Sequence, residues 1–224
     1  LPAPSVGQVF KLLWSQKSFR HLSFAAALAA MGGYAGVNWL PAFLHRSYEM
    51  KGGEIGTWLA LIIGFAGGAG TYLTGWLADH YGKRDVRWNL WVVTIIAGLC
   101  FPCSVAMYLS YEKYTTLMLF IFPAFAGAAY IAPALAMTQS LVTLRMRAQA
   151  SAILLLILNL IGMGMGPQLA GILSDVYNPT YGGESLRYAL LTISIVWIWA
   201  AVHFFIAART LKEDIERARA FGTV

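Results

Sequence analysis

Gly75-Trp76-Leu77-Ala78-Asp79-His80-Tyr81-Gly82-Lys83-Arg84-Asp85-Val86-Arg87 lies between two long apolar runs. No other segment crowds so many charges between two oily stretches, so the chain must turn sharply there, in water, at the edge of something apolar. Ninety-six residues later a fainter copy follows, Gly171-Ile172-Leu173-Ser174-Asp175-Val176-Tyr177. Around this pair, 58% of the 224 residues are hydrophobic and only 12% are charged, about half the charged share of a soluble domain. That balance indicates a membrane protein. The net charge of +6 does not indicate nucleic acid, because the basic residues sit in short clusters between apolar runs and form no single face or tail.

Six runs approach the ~20 residues needed to cross ~30 Å of hydrocarbon: Leu22–Leu44, Gly56–Leu77, Trp88–Leu109, Leu117–Leu144, Ala150–Leu173 and Tyr188–Ala207. Each must satisfy its own backbone in lipid, and none alternates as a barrel strand would, so helices are expected. The domain reading is a linker or interfacial helix over 1–20, a six-helix bundle over 21–208 and a cytoplasmic tail over 209–224. In the first segment Val6, Phe10, Leu13 and Trp14 recur at helical spacing, as in a helix lying on a bilayer; a flexible linker ending near Ser18 is the alternative. With both termini placed in the cytoplasm, twelve Lys and Arg fall inside and four (Arg46, Lys51, Lys113, Arg187) fall outside, the asymmetry of the positive-inside rule. A bacterial inner membrane is the expected location.

The offset of 96 that relates Asp79 to Asp175 also carries the start of the first span onto the start of the fourth. The second and fifth spans leave the membrane on opposite faces, so the pattern is an inverted three-plus-three repeat, as found in alternating-access transporters. A chance match of a short Gly-x-Leu-x-Asp ending is the competing explanation. Gly75 would let a neighbouring helix approach, and Gly82 would permit the turn. The Asp79 carboxylate is ill-placed at the negative end of its own helix and better placed at the N-terminus of another. The expectation is a latch in which Asp79 caps the fifth span and pairs with Arg145 or Arg147, while Lys83, Arg84 and Arg87 hold the loop at an anionic surface.

Glycine, three residues, aspartate, two residues, glycine and then basic residues resembles the signature loop of the major facilitator superfamily, with His80 standing where arginine is commoner. The later run Arg147-Ala148-Gln149-Ala150-Ser151-Ala152, with Asn159-Leu160-Ile161-Gly162-Met163-Gly164-Met165-Gly166-Pro167, Gly171 and Ser174-Asp175, is similar to the eleventh helix of spinster-like members. Glu184-Ser185-Leu186-Arg187-Tyr188 and Arg209-Thr210-Leu211-Lys212-Glu213-Asp214 look like their last helix and tail. The resemblance covers residues from about 15 to the end. It implies an all-α membrane fold, the C-terminal six-helix half of a twelve-helix transporter, with the N-terminal half as partner, membrane lipids around it, and a small amphiphilic substrate. Gly166-Pro167 also resembles the Gly-Pro motif of a fifth helix, which keeps an N-terminal-half assignment open.

In that family the first, second, fourth and fifth spans of each half line the cavity. The residues so implied are Tyr34, Asn38 and Trp39 in the first span, Gln139 near the inner end of the fourth, and Asn159 and Met163 in the fifth. Asn38 and Asn159 are buried-membrane amides that serve either as ligand contacts or as interhelical bonds of about 0.6–2 kcal/mol. Pro123 and Pro133 either hinge the fourth span or fix a static kink. The glycines at 64, 67, 68 and 70 are expected to serve close packing. No Asp, Glu, Lys or Arg lies in mid-span, and His203 is read as structural, so ion coupling would reside in the other half. Cys100 and Cys103 read as small buried residues, without metal or redox use. No cofactor is implied, and neither a zinc motif nor a nucleophile elbow appears, which disfavours an intramembrane enzyme. A membrane scaffold without transport is the remaining alternative.

Overall fold

A computed structural model of the chain describes residues 4–221. Among these the secondary structure is helical, without a strand. The helices are α1 (Val6–Ser15), α2 (Lys17–Tyr48), α3 (Gly52–Gly82), α4 (Trp88–Leu109), α5 (Lys113–Ala129), α6 (Ile131–Ser140), α7 (Arg147–Ile157), α8 (Gly164–Tyr181), α9 (Ser185–Ile193) and α10 (Val196–Phe221). A π-helical stretch, Leu158–Met163, joins α7 to α8. They make six crossings: α2, α3, α4, α5 with α6, α7 with α8, and α9 with α10. By hydropathy and length, α3, α4 and Lys113–Ser140 are each apolar enough to cross a membrane, and Leu144–Ala220 is long enough for two crossings. The first span, α2, has 32 residues, about 48 Å at 1.5 Å per residue, longer than the ~30 Å of a hydrocarbon core.

Local chemistry sets the ends. Ser5 and Gln8 form a reciprocal capping box that starts α1, Gln8 N donating to Ser5 Oγ at 3.3 Å and Ser5 N to Gln8 Oε1 at 2.9 Å. Glu112 caps α5 by accepting from the backbone of Tyr114 (3.0 Å) and Thr115 (2.6 Å). These bonds hold its carboxyl below the usual carboxylate range. Glu49, left-handed at φ 53, closes α2. Amphipathy places α1 on the bundle: Val9 and Leu13 are buried, while Val6, Phe10 and Trp14 face outward.

The bundle is built on glycine contacts. A Cβ on Gly70 would collide with the Phe125 carbonyl, joining the second span to the fourth. A Cβ on Gly166 would lie 2.5 Å from the Met31 carbonyl, joining the fifth to the first. Residues 70 and 166 differ by 96, so the inverted repeat visible in the sequence is also a repeat of helix crossings. The first span in turn packs on α10, and α4 packs on both α10 and α5.

Two polar ends follow. At one, the fully buried Arg187 (1% exposed) pairs with Glu184 and donates to the carbonyls of Tyr108 and Ser110. Its guanidinium lies over Phe43, Tyr48 and Tyr111, 4.6–5.6 Å from the ring centres. At the other, Asp214 (3% exposed) accepts from Ser18 N at 2.9 Å and Ser18 Oγ at 2.7 Å, placing a carboxylate at the positive start of α2. The segment expected as a tail from 209 consists of further turns of α10, with Leu211, Asp214 and Ile215 buried.

Candidate functional site

A cavity of about 220 Å³ opens among the first, second and fourth spans, lined by Tyr34 and Val37 of α2, Ile63 and Gly67 of α3, and Ala124, Tyr130 and Ile131 around the α5–α6 junction, with further small residues. Its wall is hydrocarbon except for two phenols. Those phenols are repeat equivalents, since Tyr34 and Tyr130 also differ by 96. Tyr130 stands where the fourth span breaks between α5 and α6. Pro133, without an N–H, cannot donate to the Ala129 carbonyl one turn earlier, which explains a break at that point. Tyr34 was marked in the sequence, whereas Tyr130 was not. It sits in an apolar run without a polar neighbour, and only the repeat offset from Tyr34 could have singled it out.

Asn38 lies one turn beyond Tyr34, exposed, and its Nδ2 donates to the Tyr34 carbonyl at 2.8 Å, which leaves Oδ1 available. Trp39 turns the other way. Its Nε1 donates to the Pro167 carbonyl at 2.8 Å, and a Cβ on Gly171 would come within 3.2 Å of the ring. Asn38 and Trp39 thus edge a second, open groove of about 540 Å³ between the first and fifth spans, with Gln168 and Asp175 opposite. Asn159 and Met163 stand on the exposed face of the π-helical stretch, outside both hollows. Asn159 Nδ2 is bonded to the Leu155 carbonyl at 2.8 Å. Gln139 Nε2 donates to Ser151 Oγ at 2.9 Å, tying the fourth span to the fifth. The structure therefore brings Tyr34 together with Tyr130, and Asn38 with Trp39, and sets Gln139 apart from both hollows.

Around the turn from α3 to α4, Asp79, Lys83 and Arg84 are exposed. Asp79 makes no hydrogen bond or ion pair with any described residue, and neither does Arg147; Arg145 is exposed. The loop's own carboxylate, Asp85, takes the bidentate partner: Arg87 Nε and a terminal nitrogen donate to it at 2.9 and 2.7 Å. Those bonds hold the Asp85 carboxyl below the usual range. Arg87 also lies 5.0 Å over the Trp91 ring. Gly82 has ordinary negative φ, and its smallness serves contact, since a Cβ would lie 2.7 Å from Asn89 Nδ2. No described residue lies within 4 Å of a Cβ built on Gly75, Gly64 or Gly68. These glycines and Asp79 share one face of α3, on which Leu61, Phe65, Tyr72 and Trp76 are exposed too. His203 in the sixth span faces His21 of the first, with Nδ1 atoms 2.9 Å apart. The two cysteines are free thiols, Cys100 buried.

Comparison with known proteins bears on this geometry. Residues 2–167 match the family model for the Major Facilitator Superfamily. An MFS-type efflux pump of Mycolicibacterium smegmatis is 32% identical over 209 residues, covering 92% of this chain and 48% of the pump. A cis,cis-muconate transport protein of Acinetobacter baylyi is 31% identical over 143 residues, 60% of this chain and 32% of that protein. Among solved structures, a bacterial homologue of the human lysosomal transporter Spinster, inward-facing and occupied, superposes with a TM-score of 0.76 at 25% identity, over 89% of this chain and 50% of that one. The same kind of homologue in an inward-facing, unoccupied state gives 0.81 at 24% identity, over 92% and 50%. The chain spans about half the length of the relatives it matches.

Proposed function

The chain belongs to the major facilitator superfamily, and on that premise we propose that it forms the C-terminal six-helix half of a secondary transporter that works by alternating access. The N-terminal half is the partner that docks on the bare face of α3 and on the exposed face of the fifth span. Support comes from the exposed small-residue stripe of Gly64, Gly68 and Gly75, which suits close helix approach, and from relatives about twice as long. Substrate is held between Tyr34 and Tyr130; Asn38, Asn159 and Met163 lie outside that cavity and reach the substrate only along the face where the partner half docks. The observation that carries this reading is the hydrocarbon cavity shared by two phenols that the repeat offset of 96 relates. Repeat interfaces near the membrane midplane are where such transporters bind their cargo.

The lining fits an amphiphilic, organic or lipid-like molecule: much apolar wall and few hydrogen-bonding groups. The matched proteins, an efflux pump, a cis,cis-muconate transport protein and a Spinster homologue, do not choose a cargo within that class. Ion coupling resides in the partner half, because the described spans carry no mid-membrane carboxylate. The loop of Gly75, Asp79, Gly82, Lys83, Arg84 and Arg87, with Arg145 and Arg147, acts as the inner-end latch, engaged when the inner side closes. We place both termini in the cytoplasm across a bacterial inner membrane, from the twelve-to-four split of basic residues.

The test is uptake into proteoliposomes by the full-length protein, across a panel of lysolipids, amphiphilic drugs and dicarboxylates, with and without a pH gradient. Saturable uptake of a panel member supports transport, and its absence across the whole panel argues for the scaffold alternative. Single cysteines replacing Lys83 and Lys113, in a background lacking Cys100 and Cys103, settle sidedness. Lys113→Cys should label from outside intact cells and Lys83→Cys should not, and the reverse pattern overturns the orientation.

A further inference from the structure

Away from the cavity, a groove of about 490 Å³ runs between the start of α2 and the inner half of α10, lined by Lys17, Arg20, His21, Phe24, His203 and Ile206, with Thr210 at its end. We propose that this groove holds an anionic membrane lipid, its phosphate on Lys17 and Arg20 and one acyl chain along the carbon floor formed by Phe24 and Ile206. The proposal draws on the transporter reading only for the leaflet, which is then the cytoplasmic one.

Three observations carry it. The first is uncompensated positive charge. Arg20 Nε is buried without a hydrogen-bond partner, and a guanidinium donor removed from water in this way calls for an acceptor anion. Lys17 is exposed and makes no ion pair with a described residue. No carboxylate lines the groove. Asp214, which bonds the adjacent Ser18, is occupied by that serine and by Arg217 at 3.5 Å. The second is the level in the membrane. Lys17 begins the first span and Thr210 lies near the end of the sixth, so the rim lies at the water boundary while Phe24, 43% exposed, lies about two turns deeper. A headgroup above and a chain below match that order. The third is the histidine pair at the junction of rim and floor. Two Nδ1 atoms 2.9 Å apart require one to donate and the other to accept. The accepting ring therefore carries its proton on Nε2. The pair also clamps α2 to α10, which keeps the two walls of the groove in register.

Affinity of the purified full-length protein for phosphatidylglycerol and phosphatidylcholine, measured by lipid titration in detergent with native mass spectrometry, tests this. Phosphatidylglycerol should bind more tightly, and Lys17→Gln/Arg20→Gln should weaken it roughly tenfold, on the scale of two interfacial cations. Arg46→Gln/Lys51→Gln, which removes two exposed charges at the other end of α2, should leave it unchanged. Arg20→Lys should restore part of the affinity if Lys17 is kept. Soluble glycerol phosphate should neither compete nor stabilise. Competition by glycerol phosphate at the same concentration would replace the lipid with a free phosphate ligand, and equal loss in both double variants would reduce the effect to general surface charge. Either outcome overturns the proposal. Because the readout is lipid binding, it stands or falls separately from transport.

Discussion

The first three spans and the last three are copies in their crossings and differ in their continuity. α2, α3 and α4 are single helices of 32, 31 and 22 residues. Each span of the second repeat is interrupted: the fourth at Tyr130, the fifth by the π-helical Leu158–Met163, the sixth between Ile193 and Val196. Proline does not account for this alone, because Pro41 and Pro102 lie inside unbroken helices of the first repeat. The second repeat adds other causes. Gly162, Gly164 and Gly166 precede Pro167 in the fifth span, and Ser194 Oγ bonds back to the Leu191 carbonyl at 2.6 Å in the sixth. The crossings at Gly70 and Gly166 fix how helices meet in both repeats. The cavity lies between Tyr34 of the continuous repeat and Tyr130 of the interrupted one.

The largest effect should come from breaking the shared crossings. Gly70→Val and Gly166→Val each push a side chain into a backbone carbonyl and should cost about 3 kcal/mol or more, seen as loss of monodisperse protein on size exclusion. Gly75→Val, on the same helix as Gly70 but meeting no described residue, should cost far less stability than Gly70→Val, and should depress transport if its face meets the partner half as proposed. If Gly75→Val unfolds the protein as Gly70→Val does, the bare face is not bare.

Next is the Arg187 end, where one buried cation joins both repeats. Arg187→Met should destabilise by roughly 2–3 kcal/mol, below the usual figure for a fully buried pair because Glu184 is partly exposed. A thermal midpoint within a degree of the parent would contradict the anchor. Pro133→Ala addresses continuity itself. It restores an N–H to the break, and should raise stability by about 1 kcal/mol while slowing transport; unchanged transport would make the break a static kink. Ser18→Ala should cost about 1 kcal/mol through the lost bond to Asp214. The smallest effect is acid sensitivity of the loop between α3 and α4. Asp85 has its folded pKa depressed by Arg87, so its contribution is complete above the unfolded value near ~3.9 and fades as pH falls through the folded one. With both partners largely in solvent, Asp85→Asn should remove well under ~1 kcal/mol above pH 5.

The spans, the turn and the repeat were legible in the sequence because hydropathy, charge clusters and a fixed offset are properties of the chain itself. The interruptions were not. Tyr130 and Ser194 sit inside runs that average as apolar, and hydropathy does not register a missing hydrogen bond. Arg187 reads in sequence as an exterior loop charge, yet it is 1% exposed, since the aromatic rings that cage it come from residues 43, 48 and 111, far away in the chain. For the same reason spacing could not tell that Gln139 is bonded to Ser151, or that Trp39 turns from Tyr34 towards Pro167. Asp79 shows the converse. The residue type and position were plain, but a latch depends on what stands opposite, and Asp79 makes no ion pair with a described residue.

The most direct measurement is concentration-dependent uptake into proteoliposomes by the parent protein, Tyr34→Phe, Tyr130→Phe and the double variant, with thermal midpoints alongside. Removal of either phenol hydroxyl should raise KM by roughly fivefold to tenfold, with the fold and the midpoint unchanged, because the two sites face the same cargo from repeat-related helices. Saturable uptake whose KM is the same in the parent and in all three variants would contradict the cavity as the site of transport.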